Sequence, residues 1–107
     1  MLKFMVVIYR RPGMTHEEFR RHLQEVHAPL VKALPGVRRY TQNYVCADAK
    51  RQPPGWEAIV EVSFDSWEAM EAAWTTPQGK ASDADLPAFA DLTRTNWSVV
   101  EEVTVLE

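Results

Sequence analysis

Hydrophobic and polar positions recur with two different periods along the chain, and the changes of period divide it into successive elements. Residues 2–9 are apolar at both odd and even positions, which is typical of a strand covered on both faces. Residues 15–34 carry apolar side chains at helical spacing, and Thr15 and Glu18 have the spacing of a capping box at the start of this helix. The apolar stripe of the predicted helix consists of Phe19, Leu23, Val26, Leu30 and Leu34.

Pro29 interrupts the pattern of this first helix. It lacks the N–H group that would bond to the carbonyl of Glu25. We therefore expect a kink at this point, or a break followed by one final helical turn. Pro35 and Gly36 end the helix.

Two strands, a second helix and a last strand follow. Residues 37–47 and 56–64 are predicted strands, and the charged segment between them, which ends in Pro-Pro-Gly, predicts an exposed loop over residues 48–55. Asp65 and Glu68 repeat the capping-box spacing ahead of the second helix. The remaining predictions are a helix over residues 66–75, one or two short helices within residues 77–92, and a strand over residues 95–106.

The order strand, helix, strand, strand, helix, strand predicts a fold of the α+β class. Two βαβ units with right-handed crossovers interleave into a four-stranded antiparallel sheet with the helices on one face, which is the ferredoxin-like βαββαβ arrangement. We expect residues 1–107 to form this single domain. Because the first strand is apolar on its uncovered side as well, we expect two copies to pack sheet against sheet as a homodimer.

Composition narrows the partners and the location. Twelve basic and fifteen acidic residues among 107 give a formal charge of −3, which argues against a nucleic-acid partner. Cys46 is the only cysteine, so an internal disulfide is impossible and a reducing cytoplasm is the simplest location. The apolar run over residues 2–9 is too short to span a membrane and lacks the features of a signal peptide.

His27 is the candidate for acid–base chemistry. At about 100° per residue it lies roughly 60° from the centre of the apolar stripe, at the edge of the buried face. A histidine with an ordinary pKa near neutrality suits proton transfer. Three interpretations stay open: a half-buried residue bonded to a backbone carbonyl near Pro29, a pocket-lining residue without catalysis, and an acid–base catalyst.

The other histidines are weaker candidates. His16 lies in the first helical turn and is expected to be solvated, and His22 points away from the stripe. His22 and His27 are separated by five positions, which on an α-helix places them on different faces and makes them a poor metal-binding pair. We expect no bound metal.

Aromatic and polar side chains of the second strand and beyond are the candidates for ligand binding. Tyr40, Gln42 and Tyr44 share one face of the strand. If that face looks toward the helices, the hydroxyl groups can orient a polar ligand, and if it looks toward a partner sheet, these are interface residues. Candidates for the apolar end of a pocket, with the core as the alternative place for them, are Trp74, Phe89 and Trp97.

Several local sequences resemble the EthD family, named for a protein of ethyl tert-butyl ether degradation. They are "KFMVVIYRRPGMT", "HEEFRRHL", "HAPLV" and "LPGVRRY", all within the first half of the chain. The resemblance implies a ferredoxin-like monomer, a dimeric α+β barrel and a pocket between sheet and helices. In isomerase-like members of the family, a histidine of the first helix and a tyrosine of the second strand lie in this pocket, at positions that match His27 and Tyr40. A further pocket histidine of the methylmuconolactone isomerase has no counterpart within residues 48–56.

These observations predict a protein that holds a hydrophobic, oxygen-bearing organic molecule. In an enzymatic form, of the isomerase, cyclase or dehydratase type, His27 transfers a proton and Tyr40 anchors a carbonyl or lactone oxygen. Such chemistry needs a base and an oxyanion donor, and no cofactor. The alternative is a non-catalytic accessory or ligand-binding protein of a degradation pathway such as ether degradation. A purely structural dimerisation module is the third possibility.

Overall fold

The computed structural model describes residues 1–107. Its strands are β1 (Leu2–Ile8), β2 (Arg39–Tyr44), β3 (Ala58–Phe64) and β4 (Asn96–Glu101). Its helices are α1 (His16–Arg21), a π-helical segment (His22–His27), α2 (Ala28–Lys32), α3 (Trp67–Trp74), α4 (Pro77–Asp85) and a 3₁₀ turn (Leu86–Ala88). No helix of the chain combines the length and the apolar character needed to cross a membrane.

The four strands form one antiparallel sheet in the order β2-β3-β1-β4. The two central strands, β1 and β3, are thus adjacent although a helix and β2 lie between them in sequence. This order is the one that two interleaved βαβ units produce. The predicted ferredoxin-like α+β fold is confirmed.

The helices cover one face of the sheet, and the hydrophobic core lies between the helices and that face. Residues paired across antiparallel strands point to the same side, so the register of Val6 with Val60 and with Trp97 places all three on the helix-covered face. From the helical side Phe19 and Leu23 enter this core and are completely buried.

The opposite face of the sheet is uncovered and mixed in character. Met5, Val7 and Ile59 share it with the ion pair of Lys3 and Glu61, in which Nζ and Oε1 are 3.0 Å apart. On this side β1 is therefore apolar at Met5 and Val7 and charged at Lys3. The surface expected to meet a second copy is correspondingly narrower than the sequence suggested.

The first helix is continuous from α1 through the π-helical segment into α2, without the break that Pro29 suggested. Thr15 and Glu18 form the predicted capping box at its start. In the π-helical segment the backbone N–H of Ala28 donates to the carbonyl of Leu23, five residues earlier. One extra residue is thus accommodated in the turn just before Pro29, whose missing N–H would in any case leave an α-helical bond unmade.

The wider turn changes which residues of the first helix are buried. Val26, predicted to lie on the apolar stripe, is 48% exposed, and Leu30 is only half-buried. The stripe prediction was wrong at these two positions because it assumed α-helical spacing throughout. The buried row consists of Phe19, Leu23, His27, Val31 and Leu34.

All four strands are shorter than predicted, β2 and β4 by the most. β4 stops at Glu101 because its partner β1 begins at Leu2, which is paired with Glu101, so the residues that follow have no strand to pair with. Val105 beyond this point is 92% exposed. β2 ends at Tyr44, opposite the first residue of β3.

Candidate functional site

A cavity of ≈ 300 Å³ lies between the sheet, the first helix and α4. This volume is at the lower end of the range of small-molecule sites. Nine of its twelve lining residues are hydrophobic. His27, Tyr40, Ser82 and Asp83 bring polar groups to its wall. It lies between the sheet and the helices, where the resemblance to the EthD family implies a pocket.

The position of α4 depends on a close helix-to-helix approach. Thr76 caps α4 by accepting a hydrogen bond from the N–H of Gly79. A Cβ atom on Gly79 would stand 2.5 Å from the carbonyl oxygen of Ala73 in α3, so only glycine permits this approach. The packing of α4 on α3 sets where the end of α4, and with it Asp85, lies against the first helix.

His27 is buried and bonded to a carboxylate at the end of α4. Its Nδ1 lies 2.9 Å from Oδ2 of Asp85, and the two side chains are 7% and 14% exposed. Because an ionised carboxylate can only accept, Nδ1 carries the proton and donates. The second ring nitrogen, Nε2, has no hydrogen-bond partner in the protein, although no side-chain polar atom is both fully buried and unpaired. His27 therefore presents a lone pair at Nε2 and lines the cavity.

Burial determines the protonation state of His27. Removal from water lowers the pKa of His27, while the hydrogen bond and the charge of Asp85 oppose this effect and the charge of His22 adds to it. The net result is a pKa below the ordinary value. The imidazole is thus neutral at neutral pH and available as a base.

Asp85 is one of the site residues that the sequence did not indicate, together with Ser82 and Asp83 of the cavity wall. Its only sequence signal is a place in the polar stretch of residues 77–85, which gives no hint of a partner. The contact with His27 spans 58 positions in sequence and depends on how α4 packs against the first helix.

His22 joins the same carboxylate. Its Nε2 is 3.0 Å from both oxygens of Asp85. The prediction that His22 and His27 lie on different faces was wrong, because the bonds of a π-helical turn bring residues five apart to the same side. The fully buried Phe89 stacks on His22 and packs against His27, with ring centroids 5.0 Å and 4.8 Å away. Phe89 was a candidate for the pocket wall and instead supports the two imidazoles from behind.

The face of β2 that carries Tyr40, Gln42 and Tyr44 looks toward the helices. Gln42 Nε2 donates to the backbone carbonyl of Leu23 at 3.1 Å, which fixes the orientation of its amide group. The same nitrogen donates to the hydroxyl oxygen of Tyr40 at 2.8 Å, and Tyr44 donates to Gln42 Oε1 at 2.7 Å. Of the two interpretations left open by the sequence, the interface on a partner sheet is thus excluded for these side chains.

This chain of hydrogen bonds leaves the O–H of Tyr40 free to donate into the cavity. The oxygen of Tyr40 already accepts from Gln42, and no other partner takes its proton. Burial raises the pKa of Tyr40, so the hydroxyl stays protonated. Gln42 and Tyr44 do not line the cavity. They hold Tyr40 in place and are not positioned to touch a ligand there.

The remaining candidates are divided between the cavity and the surface. Trp74 lines the cavity and packs edge-on against Phe4, with ring centroids 5.1 Å apart. Trp97 also lines it and is 42% exposed, so it lies at the rim. His16 is exposed and bonded to Glu57, away from the cavity lining. No group of three or more His, Cys, Asp or Glu side chains is arranged to hold a metal ion.

The geometry and the sequence together identify the family. A model of the EthD domain matches residues 11–93. The chain belongs to the EthD family.

Two related proteins are similar over different shares of the chain. An uncharacterised 11.0 kDa protein of Rhodococcus erythropolis, from the thcB-thcC intergenic region, is 28% identical over 86 residues, 80% of this chain and 82% of that protein. The decarboxylase ClaH of Passalora fulva is 44% identical over 45 residues, 39% of this chain and 29% of that protein.

Solved structures show the same EthD fold. A family member from Bacillus halodurans is 25% identical, with a TM-score of 0.80 over 96% of this chain and all of that chain. A dimeric ferredoxin-like protein from Bacteroides fragilis has a TM-score of 0.69 at 13% identity, covering 94% of this chain and 95% of that one. SnoaB, a cofactor-independent oxygenase from Streptomyces nogalater, has a TM-score of 0.68 at 13% identity, covering 98% and 95%. At these low identities, the last two comparisons show the fold alone.

Proposed function

We propose that this EthD-family protein is a cofactor-independent enzyme that transfers a proton to or from carbon in a hydrophobic, oxygen-bearing organic molecule. The observation that carries the proposal is the pairing of two complementary groups on one apolar cavity. His27 offers a lone pair at Nε2, and Tyr40 offers an O–H donor. A base and an oxyanion donor are the two groups that proton abstraction beside a carbonyl requires.

The proposed reaction begins with a carbonyl or lactone oxygen bonded to the O–H of Tyr40. His27 Nε2 takes the proton from the neighbouring carbon, and the electron pair of the broken C–H bond forms an enolate whose oxygen Tyr40 stabilises. Asp85 stabilises the imidazolium that results. Return of the proton to another carbon of the enolate completes an isomerisation. If the enolate carbon instead attacks a second carbonyl carbon of the same molecule, a carbon–carbon bond forms, and transfer of the proton from His27 to the oxygen of that carbonyl completes a cyclisation. If the enolate collapses with cleavage of the C–O bond at the β-carbon, transfer of the proton to the departing hydroxyl oxygen releases water and completes a dehydration.

The relatives are compatible with this type of chemistry. The name of ClaH describes a decarboxylase and the name of SnoaB a cofactor-independent oxygenase. Because ClaH matches this chain over less than a third of its own length, and SnoaB matches in fold, neither transfers its reaction to this chain.

Non-catalytic binding is the second candidate function. The ≈ 300 Å³ apolar cavity would equally suit an accessory protein that carries a ligand in a degradation pathway, such as ether degradation. In either role, we propose that the protein acts as a homodimer in the reducing cytoplasm. The uncovered sheet face supports the homodimer. The single free cysteine, Cys46, supports the location in a reducing compartment.

Mass spectrometry under native conditions tests whether the cavity is the binding site. We expect a small molecule to copurify, or a member of a panel of lactones and enolisable ketones to bind. Leu86 lines the cavity and Leu92 does not, so Leu86→Trp should abolish binding while the matched variant Leu92→Trp should retain it. Equal binding by both variants would contradict the assignment of the cavity. A bound compound that loses no carbon-bound hydrogen in D₂O would favour the non-catalytic role.

A further inference from the structure

One carboxylate serves two histidines in this structure. Oδ2 of Asp85 lies 2.9 Å from Nδ1 of His27 and 3.0 Å from Nε2 of His22. The three side chains are 14%, 7% and 19% exposed, respectively. His27 faces the cavity, whereas His22 lines a separate groove on the outer surface of the first helix. His22 does not line the cavity and cannot touch a ligand there.

The balance of charge in this cluster makes the two rings interdependent. The single negative charge of Asp85 balances one imidazolium, and a second proton would leave a net positive charge in a largely buried place. A positive charge on His22 therefore disfavours protonation of His27. Neutral His22 also disfavours protonation of His27, because its N–H donates to Asp85 and makes the carboxylate a weaker acceptor for His27.

We propose that His22 is a positioning residue that holds the carboxylate of Asp85 and, through it, keeps His27 weakly basic and protonated at Nδ1 alone. This role of His22 rests on the proposed function, in which His27 must be neutral to accept a proton at Nε2. The direction agrees with the lowering of the His27 pKa by the charge of His22. The π-helical turn is the structural condition for this arrangement, since it places His22 and His27 beside the same carboxylate.

Other charged or titratable groups around the cluster are few and are left unchanged by substitution of His22. Asp85 is the only carboxylate that bonds to either ring. The groups that share the outer groove with His22 are Glu18, Arg21 and Glu25, and those that share the cavity with His27 are Tyr40 and Asp83.

An NMR titration of the imidazole signals tests this coupling without any substrate. The chain has three histidines, so each signal can be assigned by a single substitution. In His22→Phe the ring can still stack on Phe89 but no longer donates to Asp85, and the titration midpoint of His27 should rise by on the order of 0.5–1 pH unit. In His22→Gln the amide still donates to Asp85 but carries no positive charge, so the His27 midpoint should rise by less than in His22→Phe. The matched control His16→Gln should leave the His27 curve as in the wild type.

An unchanged His27 midpoint in folded His22→Phe would overturn the proposal. If that variant does not fold, His22→Gln decides alone: a rise of the His27 midpoint supports the coupling, and a midpoint like that of the wild type overturns it. Neither result depends on turnover. The catalytic role of His27 is tested separately by its activity, so a failure of this inference and a failure of the proposed function are distinguishable.

Discussion

The tautomer of His27 is the residue-scale feature on which the proposed chemistry depends. Asp85 presents two acceptor oxygens to two ring N–H groups, so both histidines can donate at once. With its Nδ1 proton held by Asp85, His27 keeps a free lone pair at Nε2. The same carboxylate supplies the charge that would stabilise the imidazolium after proton transfer.

Replacement of Asp85 by asparagine should disable this arrangement without changing its shape. The amide of Asp85→Asn offers one acceptor and one donor group, so one of the two histidines must switch its tautomer, and the negative charge is lost. We expect kcat to fall by about 10²–10⁴. Steady-state kinetics with a turned-over substrate, beside circular dichroism to verify folding, make the comparison. Wild-type kcat in folded Asp85→Asn would show that the carboxylate has no part in the reaction.

At the scale of elements, the π-helical segment decides which residues of the first helix face the sheet. Because of the extra residue in this turn, His27 and not Val26 occupies the buried position between Leu23 and Val31. The extra residue precedes Pro29, where the absence of an N–H leaves one helical bond unmade in either geometry. The helix thereby brings a histidine into the cavity without losing its apolar contacts before and after the turn.

The phase of the helix can be tested by a matched pair of substitutions. Leu23 is completely buried, whereas Val26 is 48% exposed. Leu23→Ala should therefore lower the free energy of unfolding by about 2–5 kcal/mol, and Val26→Ala should change it by no more than ~0.5 kcal/mol. Urea denaturation of both variants measures the difference. Similar losses at the two positions would indicate a regular α-helix with the stripe that the sequence suggested.

The element order, the sharing of one strand face by Tyr40, Gln42 and Tyr44, and the capping box of Thr15 and Glu18 were predictable because each depends on residues close together in sequence. Which way that strand face looks depends on the packing of the helices and was left open. The π-helical turn was not, because its spacing departs from the period on which the prediction rested. Asp85 was missed for a different reason, since its role arises from the packing of α4 on the first helix. The sequence placed His27 at the edge of the buried face, and the turn moves it inside.

At the scale of the whole molecule, the uncovered sheet face is the feature that calls for a partner. Met5, Val7 and Ile59 form its apolar centre beside the ion pair of Lys3 and Glu61. We expect two copies of this chain to pack against each other through this uncovered sheet face.

A charge introduced on the uncovered face of the sheet should have a different effect from a charge introduced on the helix-covered face. Val7 lies on the uncovered face and Val60 on the helix-covered face. Val7→Asp should give a folded monomer, because it places a charge in the expected interface. Val60→Asp should unfold the chain, because it buries an unpaired charge in the core. Light scattering at micromolar concentration and circular dichroism measure both outcomes. A wild-type protein that is monomeric under these conditions would refute the dimer.

The central claim is that His27 takes a proton from carbon in the cavity. The measurement that tests it most directly is the incorporation of solvent deuterium into a bound ketone or lactone, followed by NMR in D₂O. Wild type should catalyse the exchange at the carbon beside the carbonyl, and His16→Ala, which alters an exposed histidine outside the cavity, should do the same. The rate should be constant at neutral pH and fall only as acid protonates His27, whose pKa is lowered by burial. His27→Ala should slow the exchange by about 10²–10⁴. Exchange by His27→Ala at the wild-type rate, with the same dependence on pH, would contradict the account.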